Sequence, residues 1–381
     1  MPSSVHIWQG QSRYDVFSRW QDALGQAFRR QGLDVTLRSV NDPAVPAKPC
    51  SFSIGFNLVR AWTPAGRAER HVAWLVDHPC HHGALFTPQS TGLPMDPAAC
   101  LALCVDEEWT AFAQQLYREP PVHFVPHPPS VETVQDPDWS RREWDVVMFG
   151  TGEDSETLHA SLKQESGPWW PLLEGVLKHM APDLGASAPG LLWHLLEQSE
   201  LPRDQALILM HGWLPKLTQY YLYAQERPRL LAAFKHQTVH VFGNGPWARL
   251  KLPSSVVVHG PLSSADTVAA MRRSRVVLNH SPTLAHGAHE RIFDALACGC
   301  KVLTTPSTFV RNAFGSEGAV TFYSAKTMPA LDEHMAALLS DPDAADRIRQ
   351  AQKTLQADHT MDRRVETICN RVAQRWPEGL S

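Results

Sequence analysis

The sequence predicts an α/β protein carrying parallel sheets in two similar halves, and three observations support that class. One is length, because 381 residues exceed an ordinary domain and fit two or three units. The second is residues 276–305, which read as strand, loop, short helix and strand. There Val276, Val277 and Leu278 form an apolar run that Pro282 ends, since proline lacks a ladder donor. After Gly287, the residues Ile292, Phe293, Leu296 and Ala297 share one helical face while Glu290 and Asp294 fall on another, and Gly299 stops the helix before a strand at 301–305. The third is the chain start, where a strand at 5–8 leads to a helix at about 14–31 and a second strand at 34–39.

In the first helix Phe17, Trp20, Leu24 and Phe28 recur at spacings of three and four, which marks a core face rather than a cofactor box. Gly10 follows the first strand at the end where open α/β sheets bind ligands, though a plain connection would look the same. Strands at 53–59 and 71–76 come next, and the second runs into Asp77-His78-Pro79-Cys80-His81-His82. A carboxylate and imidazoles just past a strand end suit proton transfer, because histidine titrates near neutrality and a carboxylate can orient it. A structural Asp77 capping the loop is the competing reading. Metal binding is disfavoured, since the consecutive His81 and His82 point in different directions in most backbones. A strand at 101–105 precedes Asp106, Glu107 and Glu108, acids that would compensate the dipole of a helix reaching about residue 117. A strand at 122–125 then exits through Pro126-His127-Pro128-Pro129 into a linker at about 130–142.

The second half opens with a strand at 144–149 and Gly150-Thr151-Gly152. No third glycine arrives at dinucleotide spacing, which disfavours nicotinamide or flavin and leaves a phosphate contact open. Residues from 154 to about 235 carry helical pattern for longer than a normal crossover. Such an insertion could shape an acceptor pocket, form a homo-oligomer contact or thicken the domain. Strands at 240–243 and 256–260 follow, with Arg249 and Lys251 between them either neutralising a leaving diphosphate or simply solvated. A helix at 264–273 returns the chain to 276–305, a last strand spans 320–323, and helical pattern runs from 331 onward.

Composition narrows the function classes. With 35 basic against 39 acidic side chains and a net charge of -4, no basic cluster is available to track a phosphate backbone, so nucleic acid is not an expected partner. The seven cysteines form neither a disulfide framework nor a paired zinc pattern and read as reduced thiols. No window reaches about 18 uninterrupted apolar residues and the N-terminus lacks a signal-peptide core, so a soluble, cytoplasmic protein without a transmembrane segment is expected.

The chemistry of 276–305 centres on where its helix starts. Free N–H groups at Gly287, Ala288 and His289 would make an anion site, with Gly287 letting a phosphate approach the backbone. One to two turns on, Asp294 could accept from a vicinal diol, as carboxylates do on a nucleotide ribose. Phosphate first and ribose second is the layout of a nucleotide-sugar site.

The run from His286 to Thr305 resembles the donor segment of GT-B glycosyltransferases, most closely the CgeB-like (spore-maturation type) branch, with its Gly-x-His-Glu-Arg-x-Phe pattern. His359-Thr360 through Arg364, the stretch at 239–247, Val258-His259-Gly260 and the stretch at 74–79 resemble other pieces of that family. The resemblance implies two Rossmann-like domains facing a cleft: residues 1–135 for the acceptor, 136–345 for the donor with the helical insertion at about 154–235, and helices at 346–381 crossing back. It implies a metal-independent glycosyltransferase, of the hexosyltransferase class, that uses a nucleotide-sugar co-substrate and no other cofactor. Gly243, His286, Gly287, His289, Glu290, Arg291 and Asp294 would hold the donor, and Asp77 or His78 would serve as base if configuration inverts. The wider superfamily often sets two acids eight residues apart; here Asp294 takes the second place but His286 the first, which leaves the donor sugar open. The acceptor could be a protein, a glycan or a lipid-linked sugar. A GT-B-fold isomerase or phosphorylase, or a non-catalytic nucleotide-sugar-binding subunit, are the alternatives.

Overall fold

The computed structural model describes residues 2–9, 15–39, 50–57, 70–82, 97–116, 119–127, 129–134, 139–180 and 188–377. Gly10, Pro128 and residues 135–138 of the expected linker lie outside the described residues. The chain forms two compact units. Unit 1 takes Met1–Ser130, His286–Glu290 and Ala357–Ser381, and unit 2 takes Val131–Ala285 and Arg291–Gln356.

Unit 1 contains β1 (Ser4–Gln9), α1 (Val16–Arg30), β2 (Asp34–Ser39), β3 (Phe52–Phe56), β4 (His71–Leu75), β5 (Cys100–Cys104), α2 (Glu107–Leu116) and β6 (Val122–Phe124). The six strands are parallel in the order β2-β1-β3-β4-β5-β6. Every residue of β3, β4 and β5 is buried, as expected of parallel strands covered on both faces. On α1 the expected core face is real: Trp20, Leu24 and Phe28 are buried, and the half-buried Phe17 packs on Trp20 and Phe56. Burial of each such large side chain contributes about 1.5–3 kcal/mol. A C-terminal helix, Met361–Arg375, lies along α1, where Arg30 pairs with Asp362 at 2.9 Å and Gln31 donates to the Asp362 carbonyl.

Unit 2 begins with β7 (Trp144–Phe149) and then α3 (Ser155–Ser166), α4 (Trp170–Met180), α5 (Ala188–Gln198) and α6 (Arg203–Gln219). A π-helical segment, Tyr220–Glu226, and α7 (Arg227–Ala232) complete the helical insertion before β8 (Val239–Phe242). There follow β9 (Val256–His259), α8 (Ser264–Arg272), β10 (Ser274–Asn279), α9 (Glu290–Ala297), β11 (Lys301–Thr304), α10 (Thr308–Phe314), β12 (Val320–Phe322), α11 (Leu331–Leu339) and α12 (Ala344–Asp358). The parallel order β12-β11-β10-β7-β8-β9 is the doubly wound dinucleotide-fold arrangement, with the first strand of the unit at its centre. Its core joins Val146, Met148, Val241, Val276 and Leu278 from the sheet to Leu331 and Ile348 from the last helices. Ile292, Phe293, Leu296 and Ala297 are all buried as their periodicity requires. Asp294, expected on the polar face of α9, is buried too, at 1% exposure. The buried Lys301 of β11 meets the Asp341 carboxylate, so its charge is compensated inside the unit.

Candidate functional site

Parallel sheets gather ligand-binding groups at the carboxyl ends of their strands, above all where the strand order reverses. In unit 2 that reversal lies between β7 and β10, and in unit 1 between β1 and β3.

In unit 2, β7 and β8 each run into a Gly-x-Gly loop, and the two loops zip together. The Gly150 amide donates to the Phe242 carbonyl at 2.9 Å and the Gly152 amide to the Asn244 carbonyl at 3.0 Å. Side chains are excluded along this seam. A Cβ on Gly243 would lie 1.8 Å from the Gly150 carbonyl oxygen, and one on Gly245, at φ +109°, would lie 1.8 Å from that of Gly152. The Trp247 ring covers Gly152 in the same way, at 2.6 Å from a hypothetical Cβ.

Two guanidinium groups hold the end of β7. Arg291 donates through Nη1 to the Phe149 carbonyl at 3.0 Å, and Arg227 through Nη1 to the Thr151 carbonyl at 2.7 Å. Across the reversal, the β10 exit is a buried polar set: His280 Nδ1 lies 2.8 Å from Tyr323 Oη, and Asn279 Nδ2 donates to Thr304 Oγ1 at 2.9 Å. Burial, with Arg227 nearby, pushes the His280 imidazole down to about 3, so it stays neutral. Burial pushes the Glu226 carboxyl up against a Tyr221 hydroxyl and Arg229. Glu226 Oε2, Asn279 Oδ1 and His280 Nε2 have no hydrogen-bond partner among the described residues. Glu226, Arg227 and His280 were not readable as site residues. The one signal at hand was the end of the helical insertion just upstream of β8, and the π-helical turn that delivers Glu226 and Arg227 has no sequence signature. Arg249 and Lys251 are exposed.

In unit 1 the exits of β3, β4, β5 and β6 carry carboxylates and imidazoles. Asn57, in the left-handed region at φ 50°, donates through Nδ2 to Asp77 Oδ2 at 2.7 Å, while its Oδ1 accepts from the Val76 amide at 2.8 Å. That clamp fixes the exposed Asp77 carboxylate just beyond β4. Asn57 was missed because its pairing is long-range. The neighbouring His78 is turned inward: Nδ1 accepts from the Cys80 amide at 3.2 Å and the ring packs edge-on against Trp109. His82 is buried and its imidazole pushed down to about 4 by burial, with the Asp77 charge opposing.

The segment His286–Glu290 belongs to unit 1. Gly287 forms an antiparallel bridge with Asp106, and a Cβ there would sit 2.2 Å from the Val105 carbonyl oxygen. This pairing explains why α9 starts only at Glu290, so that Gly287, Ala288 and His289 precede the helix instead of forming its first turn. Asp106 is fully buried and does more than compensate a dipole. Its Oδ1 caps α2 by accepting from Glu108 and Trp109 amides at 2.8 and 3.1 Å, and its Oδ2 accepts from the His286 amide at 2.8 Å. Further along, His289 pairs with Glu290 and stacks on His127, rings 5.9 Å apart at 17°. His127 is buried and pushed down to about 4 by burial, and the buried Arg364 reaches its carbonyl at 3.4 Å while also meeting His359. The His359-to-Arg364 motif therefore supports the β6 exit. No group of three or more metal-ligating side chains exists among the described residues.

Residues 226–370 match the family model Glyco_trans_1_2, described as glycosyl transferase-like. No curated protein matches the chain. Among solved structures, the T4 phage β-glucosyltransferase crystallised with UDP-glucose has a TM-score of 0.53 at 10% identity, covering 97% of this chain and 99% of its own. AviGT4, a glycosyltransferase of avilamycin A biosynthesis, has a TM-score of 0.53 at 14% identity with 99% of both chains covered. An α-glucosyltransferase in complex with UDP and DNA reaches 0.52 at 10% identity, covering 98% of this chain and 100% of its own. The fold is GT-B, with a glycosyl transferase-like segment over its second half. No described helix is long and apolar enough to cross a membrane.

Proposed function

We propose that the protein is a metal-independent, CgeB-like glycosyltransferase that moves a hexosyl group from a nucleoside-diphosphate sugar to an acceptor hydroxyl. The observation that carries this reading is the zipped pair of glycine loops after β7 and β8, the first of which borders the strand-order reversal of unit 2, flanked by Arg227 and Arg291. Bare backbone beside fixed cations suits a diphosphate, whose charge grows as the sugar–phosphate bond breaks. Gly243 belongs to that backbone surface. Arg291 supplies charge, Asp294 is assigned to the ribose, and His286, Gly287, His289 and Glu290 complete the donor set. In an inverting reaction Asp77 takes the acceptor hydroxyl proton, the acceptor oxygen bonds to the anomeric carbon, and the bond to the diphosphate oxygen breaks. The Asn57 clamp favours Asp77 for this role, whereas the inward-turned His78 acts as a support.

Calorimetric screening against UDP, GDP, dTDP, CMP and their sugars tests the reading, followed by a nucleotide-release assay with the best binder. One nucleotide class should bind, and release should accelerate with acceptor. Absence of any nucleotide binding would sink the proposal, and turnover of donor without acceptor would move it to an isomerase.

A further inference from the structure

Asp106 lies outside the donor and base assignments, yet three facts tie it to the donor motif. Its Oδ2 accepts the His286 amide, its own residue bridges Gly287, and the Glu107 amide reaches the His286 carbonyl at 3.5 Å. A glycine is required at 287 because the Val105 carbonyl occupies the place of a Cβ. The carboxylate is fully buried, so its two oxygens divide between two tasks, capping α2 and holding residues 286 and 287.

We propose that Asp106 is a positioning residue, which sets the conformation of residues 286–289 and thereby the presentation of His289 and Glu290 to the nucleotide-sugar. The inference rests on the donor role assigned above to that segment. A charged acceptor for a backbone N–H is stronger than a neutral one, and one with no access to water has no competitor. Replacing Asp106 by Asn keeps size and one acceptor oxygen but loses the charge that serves both ends. Burial pushes this carboxyl up to about 6, with the Glu108 carboxylate adding to the shift and the amides of His286, Trp109 and Glu108 opposing it. The charged and titratable neighbours facing it are Glu108, Cys104 and His286, whose ring Nε2 lies 3.7 Å from the Glu108 carboxylate. The hold on the segment is complete above that range and weakens as pH falls through it.

Hydrogen exchange and steady-state kinetics on Asp106→Asn and Gly287→Ala test the inference, and Gly287→Ala, which keeps the Asp106 carboxylate while pressing on the Val105 carbonyl and Asp106, serves should the first variant fold poorly. Exchange at the His286 amide should rise at least about tenfold in both, with the sheet amides unchanged. KM for the nucleotide-sugar should rise about tenfold while kcat moves less than about threefold. In the wild type the protection factor at His286 should drop between about pH 7 and 5, and in Asp106→Asn that step should vanish. Unchanged exchange in either variant overturns the inference, as does faster exchange with an unchanged KM. A wild type that binds no nucleotide-sugar sinks the proposed function instead, and the exchange data alone then decide whether Asp106 holds the segment.

Discussion

The two sheets solve the same topological problem with opposite chemistry. Both are six parallel strands with one reversal of order. In unit 2 the exits at the reversal are glycine backbone, two arginines and neutral buried polar groups. In unit 1 the exits carry Asn57, Asp77, Asp106 and the imidazoles of His78, His82 and His127. A scaffold repeated within one chain therefore dictates where a site forms and leaves its chemistry to the few residues after each strand.

The largest break in that comparison should come from Asp77→Asn. It preserves the hydrogen bond from Asn57 but removes the base, so kcat should fall about 100-fold or more with nucleotide affinity unchanged, while His78→Phe should change kcat far less. On the unit 2 side, Gly243→Ala forces a methyl into the Gly150 carbonyl, which should cost about 1–3 kcal/mol in a urea melt and weaken nucleotide binding while leaving unit 1 amides protected as before. Asn57→Ala loosens Asp77 without removing it, and kcat should drop about tenfold, with an unchanged nucleotide affinity as the check. The smallest effect concerns pH. His280 is neutral in the folded state, pushed down to about 3 from 6.5, so the stability it contributes is present above 6.5 and lost as pH falls toward 3. His280→Gln should flatten the acid side of the urea midpoint against pH, while the slope from His82, His127 and His359 in unit 1, each near 4, persists.

The twelve described strands were legible, the inner ones because parallel strands buried on both faces leave apolar runs, and the exposed edge strands β2 and β9 because turn residues of glycine and proline bracket them. The core faces of α1 and α9 followed from periodicity for the same reason. What stayed hidden was long-range pairing. Asp106 looked like an ordinary acid in a first helical turn because His286 lies 180 residues away, and the start of α9 was misplaced because Gly287 is spent on the Val105 contact. Likewise the Asn57–Asp77 clamp and the Arg227–Thr151 bond span 20 and 76 residues. Hydrophobic pattern reports burial, but it carries no information about which distant polar groups will meet.

The zipped glycine loops also set rules for redesign. Because a Cβ on Gly152, Gly243 or Gly245 would fall within 2.6 Å of the facing loop or the Trp247 ring, a side chain at any of these three positions forces the seam to shift, whereas one at Gly150 meets only the Arg227 side chain at 3.2 Å. Thr151 and Asn244 sit between them, each half-buried, and carry the side chains of the two loop tips. A combinatorial library for altered donor choice should therefore diversify those two positions together and leave Gly152, Gly243 and Gly245 fixed.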